Sequence, residues 1–469
     1  MQVLNLGRYA LGACVVVALL AGCGGGALSC FECAARDEAG AARTGSGGSS
    51  SKYIQHVVVV IQENRSFDNL FATFPGADGA TGGCMEPGSD LLPRSETGSH
   101  GCPTGDQWVP LKEEDLAEPC DWSHGRHNFL TDYDGGAMDG FGSEGGGNNC
   151  PGKAGTKAYV YTNPSQIGPY WTIANQYVLA DQMYQTQGSG SFTAHQDLIA
   201  GGTILNANKT QSAVDFPTSL PWGCDNPDPK TVTSLLVWKD GKVEGEFDGG
   251  PFPCYTYATL RDLLDAKSVS WTYYSPPEPH GTGALWNAFD AIDAVRNGPE
   301  WTSNIQNSSK LLSDISAGSL ASVAWVVPDD NNSDHPAVTH DLGPSWVASI
   351  VNAIGESSYW DNTAIIVVWD DWGGLGFRVP MLLISPYARK GKNGHGYISH
   401  TQYEFGSILK FIENVWGLGQ LGTTDTRAAS IVDSFDFTQK PRKFKTIGSD
   451  YSRAYFLHQK PSYRPVDSE

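Results

Sequence analysis

The sequence predicts an α/β fold, with a mostly parallel central sheet covered by helices on both faces. Three observations predict it. Continuous β-branched and apolar runs read as strands buried on both sides. Amphipathic helical patterns lie between them. Turn and cap residues separate the two kinds of segment. In chain order, Val57-Val-Val-Val-Ile61 is the first buried strand. Tyr257–Ala266 reads as a helix behind the N-cap candidate Thr256 and precedes a strand at Ser268–Tyr274. A strand at Ala321–Val327 is followed by a helix at Pro344–Ile354 that stops at Gly355. Strands at Thr363–Trp369 and Pro380–Ser385 precede a helix at Thr401–Asn414, which puts Phe405, Ile408, Leu409 and Ile412 on one face. Alternation of this kind gives parallel pairing, with ligands beyond the carboxyl ends of the strands.

Composition narrows the function. Among 469 residues, 31 are Lys or Arg and 51 are Asp or Glu, a formal charge of −20. No basic footprint for nucleic acid exists in such a chain. With 40% hydrophobic and 17% charged residues it can bury a large core. The 55 Gly and 27 Pro indicate loop-rich insertions on one domain.

The N-terminus reads as an export signal: Arg8, an apolar run from Cys14 to Leu20, then Leu20-Ala-Gly-Cys23, which resembles a lipobox. Residues 1–22 are expected to be a lipoprotein-type signal peptide, 23–51 a flexible Gly/Ala/Ser-rich tether, and 52–469 the catalytic domain. The expected location is outside the cytoplasm, either anchored to the bacterial cell envelope by a lipid on Cys23 or secreted. Eight cysteines remain after Cys14 and Cys23: Cys30, Cys33, Cys84, Cys102, Cys120, Cys150, Cys224 and Cys254. An even number in an exported chain reads as disulfides of undetermined pairing, more than as a zinc site.

Chemistry gathers at strand ends. Val57–Ile61 runs out into Gln62-Glu63-Asn64-Arg65-Ser66-Phe67-Asp68, and Thr363–Trp369 into Asp370-Asp371. If both strands lie in one parallel sheet, Glu63, Asn64, Asp370 and Asp371 emerge together, and carboxylates so placed call for a divalent metal. A lone Asp pair could equally cap a helix or face water. Ser191, in Gln187-Gly-Ser-Gly-Ser191-Phe-Thr-Ala-His195, stands at the start of a short helix ending at Gly201, where anions are favoured. It is a nucleophile candidate, against the plain alternative of an N-cap. His124, near His127, and His335 can donate a hydrogen bond to a phosphate oxygen or act as general acids, against the plain alternative, for each taken singly, of a surface imidazole in a polar loop. His56, His100, His195, His280, His340, His395 and His400 have weaker claims.

These segments resemble a bacterial phosphoesterase family that includes phospholipases C and acid phosphatases. The resemblance runs through His56–Gly76, Asp121-Trp-Ser-His124, Gly136–Phe141, Tyr170–Asp181 leading into Ser191, and Ser333-Asp-His-Pro336. It continues at Trp369–Gly374, Gly376–Tyr387 and His400–Glu413. It implies an alkaline-phosphatase-like fold with loop-rich, disulfide-bearing insertions, and phosphate-ester hydrolysis through a phospho-enzyme. By position it implies Glu63, Asn64, Asp370 and Asp371 as ligands of one divalent metal, Ser191 as nucleophile, and His124 and His335 as phosphate contacts. His195 stands where relatives carry Arg or His, and His127 has no assured counterpart. One departure stands out: a family loop carrying an Asp and a His is missing, because Gly374 is followed at once by Leu375-Gly376. Weaker catalysis, altered metal geometry or a different substrate would each follow from that gap.

The leading expectation is a phospholipase C-like enzyme acting on phosphate esters, including phospholipid. Alternatives are an acid phosphatase for soluble monoesters, a metal-independent serine esterase, which the Gly188-Ser-Gly-Ser191 pattern fits poorly, and a surface lipoprotein that binds without turnover. Trp108, Trp122, Phe216, Trp222 and Phe252, in the insertions at 79–155 and 203–253, are candidates for the pocket rim or, equally, for the cores of the insertions. Oligomeric state and metal identity are not readable.

Overall fold

The computed structural model describes residues 52–86, 101–103, 105–117, 120–146, 150, 152–276, 286–337, 340–392 and 395–464. The signal, the tether, Cys23, Cys30, Cys33, His100 and His280 lie outside them.

Nine strands make the main sheet. In chain order they are β1 (His56–Gln62), β2 (Val178–Tyr184), β3 (Trp271–Ser275), β4 (Ile305–Asn307), β5 (Val323–Val326), β6 (Thr363–Trp369), β7 (Arg378–Ile384), β8 (Tyr397–Ser399) and β9 (Tyr403–Glu404). Their spatial order is β4-β3-β5-β1-β6-β7-β2-β8, with β9 also on β2. All pairings are parallel except those of β7, which runs against β6 and β2. The sequence shows no sign of this reversal, because an apolar run looks the same in either direction.

Every residue of β6 and Val57–Ile61 of β1 is buried, so both faces of the sheet are covered. Among the described residues, the α-helices of five or more residues are α1 (Phe67–Phe71), α2 (Arg126–Tyr133), α3 (Gly168–Gln176), α4 (Ser191–Ala200), α5 (Leu260–Ala266), α6 (Leu311–Ala317), α7 (Gly343–Gly355), α8 (Phe405–Trp416) and α9 (Arg453–His458). One group packs α3, α6 and α9 on α7; another packs α5 and α8 on α4. α5 begins at Leu260, later than the Thr256 cap suggests, because Thr259 and Asp262 form a reciprocal capping box.

The insertions carry small sheets of their own. Gly82–Met85 pairs with Gln107–Pro110, Lys112–Glu114 with Val160–Thr162, and Gln211–Val214, Ser234–Lys239 and Lys242–Phe247 form a three-stranded sheet. Disulfides join Cys84 to Cys102, Cys120 to Cys150, and Cys224 to Cys254. A second, smaller apolar core under the first insertion holds Met85, Val109, Trp122, Phe141, Tyr159 and Leu375.

Candidate active site

The register of β1 and β6 sets the site. Gln62 lies opposite Trp369, so the residues that follow each strand leave the same carboxyl edge side by side. Asn64, at φ +47, turns the chain there and donates its backbone N–H to Asp370 Oδ1 at 3.0 Å. A left-handed φ is tolerable for Asn and costly for branched residues. Glu63, Asn64, Asp370 and Asp371 are all buried.

Ser191 is the first residue of α4, and Gly190, which has no side chain to offer, is the N-cap. The hydroxyl is therefore not spent on capping. It donates toward Asp371 Oδ2 at 3.1 Å and Asn64 Oδ1 at 3.2 Å. The other end of the Asn64 amide faces two imidazoles: Nδ2 lies 2.6 Å from His124 Nε2 and 3.1 Å from His335 Nε2. Each ring turns Nδ1 to a backbone carbonyl, Trp122 at 3.1 Å and Pro336 at 2.6 Å. A carbonyl can only accept, which assigns the Nδ1–H tautomer to both and leaves Nε2 to accept from Asn64.

Seven residues singled out from the sequence thus meet at one point: Glu63, Asn64, His124, Ser191, His335, Asp370 and Asp371. His195, ranked low on sequence grounds, joins them. One turn of helix beyond Ser191, its Nε2 is 3.1 Å from Glu63 Oε1 and 3.7 Å from Asp370 Oδ2. The spacing of four from Ser191, which puts both on one face of α4, is the signal that could have found it. His127 is exposed, His56 bonds to the Ala321 carbonyl, and His400 pairs with Asp181, all apart from this cluster.

The electrostatics invite a cation. Burial, and secondly the charge of Glu63, push the Asp370 carboxyl up to about 7 against the opposing pull of His195. Asp370 Oδ2 is buried and has no hydrogen-bond partner among the described residues. Among the described residues, donor atoms of Glu63, His195 and Asp370 all lie within 4.8 Å of one another, a grouping that could hold a metal ion. Two carboxylates and one imidazole in such a grouping, with the Asp371 carboxylate next in the chain, fit a divalent cation.

Supporting residues escaped the sequence reading. Gln62 donates to the Asn332 carbonyl and accepts from the Asp334 N–H. Arg65 Nε donates to the Asp334 carbonyl, and Tyr170 and Trp369 donate to its carboxylate. Together they fix the segment that carries His335. The connection after Asp371 is packed, not open: a Cβ at Gly373 would overlap the Asn64 carbonyl, and Leu375 donates its N–H to Ala158 O at 3.0 Å and enters the smaller core.

Charge held so deep at the carboxyl edge of a parallel sheet marks the chain as an α/β enzyme. A Phosphoesterase family model matches residues 54–419, and the chain belongs to that family. It is a phosphoric ester hydrolase. Phospholipase C A of Mycobacterium tuberculosis is 25% identical over 451 residues, covering 83% of this chain and 78% of the relative. Non-hemolytic phospholipase C of Pseudomonas aeruginosa is 22% identical over 445 residues, covering 82% and 58%. Among solved structures, a protein of the alkaline phosphatase superfamily from Vibrio parahaemolyticus matches with a TM-score of 0.34 at 13% identity, covering 58% of this chain and 67% of its own. The lipoteichoic acid synthase LtaP from Listeria monocytogenes matches with a TM-score of 0.32 at 10% identity, covering 58% and 70%.

Proposed function

We propose that this chain is an exported, metal-dependent phosphoesterase of phospholipase C type that works through a phosphoserine at residue 191. The observation that carries the reading is the Ser191 hydroxyl, free of any capping duty and donating toward Asp371 and Asn64. Ser191 Oγ would attack phosphorus while its proton passes to Asp371 Oδ2; the O–P bond forms as the ester P–O bond breaks. The first-turn N–H groups of α4 favour the phosphoryl oxygens. His124 and His335, when protonated at Nε2, would donate to a phosphoryl oxygen or to the leaving alkoxide. Water then cleaves the phosphoserine and frees phosphate or a phosphomonoester.

Glu63, Asp370, Asp371 and Asn64 are the proposed oxygen donors to the metal, with His195 beside them. Bound there, a divalent cation would neutralise phosphoryl charge and lower the hydroxyl pKa. The phospholipid preference rests on the named relatives. Export and a lipid on Cys23 rest on the leader pattern, and among the described residues no helix is long and apolar enough to cross a membrane.

A chromogenic monoester, a chromogenic diester and phosphatidylcholine, each assayed with and without chelator, test the activity. Acid quenching followed by peptide mass spectrometry should find phosphate on residue 191. Absence of chelator-sensitive turnover of all three substrates rejects the proposal. Metabolic labelling with a fatty acid, lost in Cys23→Ser, tests the anchor.

A further inference from the structure

The cluster around Ser191 is closed. Ser191 is 0%, His124 1% and His335 3% exposed. Aromatic rings surround it: Phe216 and Trp372 face His124, and Trp286 faces His335. Phe216, half-buried, packs its ring so tightly on the residue before the nucleophile that a Cβ at Gly190 would overlap it. The ring stands edge-on to His124 at 6.0 Å and is backed by the buried Trp222 at 4.8 Å.

The segment carrying it is held under backbone strain. Asp215 sits at φ +68, a region Asp visits only with local compensation. Two bonds compensate: Asp215 donates its N–H to Ser189 Oγ at 3.0 Å and accepts from the Arg126 N–H at 3.1 Å. Arg126 extends the lock, donating from Nη1 to the Gly188 carbonyl at 3.0 Å and from Nε to Glu246 Oε2 at 3.2 Å. Both insertions therefore clasp the turn that presents Ser191, and the left-handed residue just before Phe216 is bonded to that turn. Strain held in place by surrounding bonds is characteristic of functional segments.

We infer that Phe216 is a specificity-determining residue: its ring bounds the approach to Ser191 and sets how large a group on the phosphate can reach the hydroxyl. A small monoester passes the ring; a diester with two bulky substituents must displace it. The inference rests on the phosphoesterase reading and adds to it the residue that sorts substrates by size. A wall of this kind changes relative kcat/KM values by tens-fold, the range available to apolar pocket contacts.

The test is a graded series, Phe216→Ala, Phe216→Leu and Phe216→Trp, in the full chain, with thermal midpoints recorded. kcat/KM is measured for 4-nitrophenyl phosphate and for bis(4-nitrophenyl) phosphate. The diester-to-monoester ratio is expected to rise about tenfold or more in Phe216→Ala, to rise less in Phe216→Leu, and to fall below wild type in Phe216→Trp. A ratio that stays constant while both activities change together, or one with no order by side-chain size, overturns the assignment. Phe216→Leu keeps the test available if the alanine variant does not fold. Failure of wild type on both substrates would reject the phosphoesterase reading itself, an outcome distinct from a constant ratio.

Discussion

Asn64 and His124 are joined by a 2.6 Å contact between the amide Nδ2 and the ring Nε2, while the opposite end of the same amide accepts from Ser191. A carboxamide is the group that can donate to two imidazoles and accept from a hydroxyl at once. Asn64→Asp replaces the two donors by lone pairs facing lone pairs. We expect kcat/KM to fall about 10²–10³-fold, the cost typical of losing one polar partner at a reacting centre. Steady-state kinetics beside a circular-dichroism melt decide it; an active Asn64→Asp enzyme contradicts the arrangement.

Ser191→Ala should reduce turnover to background, about 10³-fold or more below wild type. Because the N-cap is Gly190, the substitution leaves α4 its cap. The lost side-chain hydrogen bond costs about 1 kcal/mol, so the melting midpoint should move by only a few degrees. A large drop in midpoint with activity retained would return Ser191 to a structural role.

His195 and the acids around it give a prediction about metal uptake. After chelation and dialysis, Ca²⁺, Mg²⁺, Mn²⁺ and Zn²⁺ should be titrated by calorimetry into wild type and His195→Ala. We expect the most tightly bound ion to lose about 10–100-fold in affinity in the variant. Equal affinities would leave His195 outside the metal's reach.

Asp132 lies fully buried on α2, and burial outweighs the opposing contributions of Glu144 and Trp372 to push its carboxyl from 3.8 up to about 7. A carboxyl raised on folding binds its proton more tightly in the native state, so stability is greatest below the unfolded value and declines as pH rises toward 7. Asp132→Asn removes that decline. Its melting midpoint should exceed wild type at pH 8, by about 1–3 kcal/mol in stability, and converge with it near pH 4. An equal gain at both pH values would assign the effect to packing.

What could be read from the chain follows from where polar residues fall. β1 and β6 are uninterrupted apolar runs at the middle of the sheet, and both are evident in the sequence. β2 is not, since Asp181 and Gln182 break its pattern; Asp181 Oδ2 is held by the Asp78 N–H and by His400, partners remote in sequence. α8 buries Phe405, Ile408, Leu409 and Ile412 as its periodicity requires. At the site, the strand-end acids are legible because parallel pairing brings strand ends to one edge, and Ser191 because a glycine-rich turn feeds the short helix it opens. Arg126 was not, because its bond to Gly188 spans 62 residues and no motif signals it.

The reversed strand β7 has a consequence for how such an enzyme can change over time. A parallel neighbour would need a crossover of a dozen or more residues to return to the starting edge, whereas an antiparallel one needs only a tight connection. Here residues 370–377 make that connection directly over Asn64, so the rim of the site is a hairpin between two central strands. A change in its length requires no new crossover, and the contacts it would have to rebuild are those of Gly373 with Asn64 and of Leu375 with the smaller core. The length of the site's rim is therefore set by a turn between neighbouring strands and not by a helical crossover.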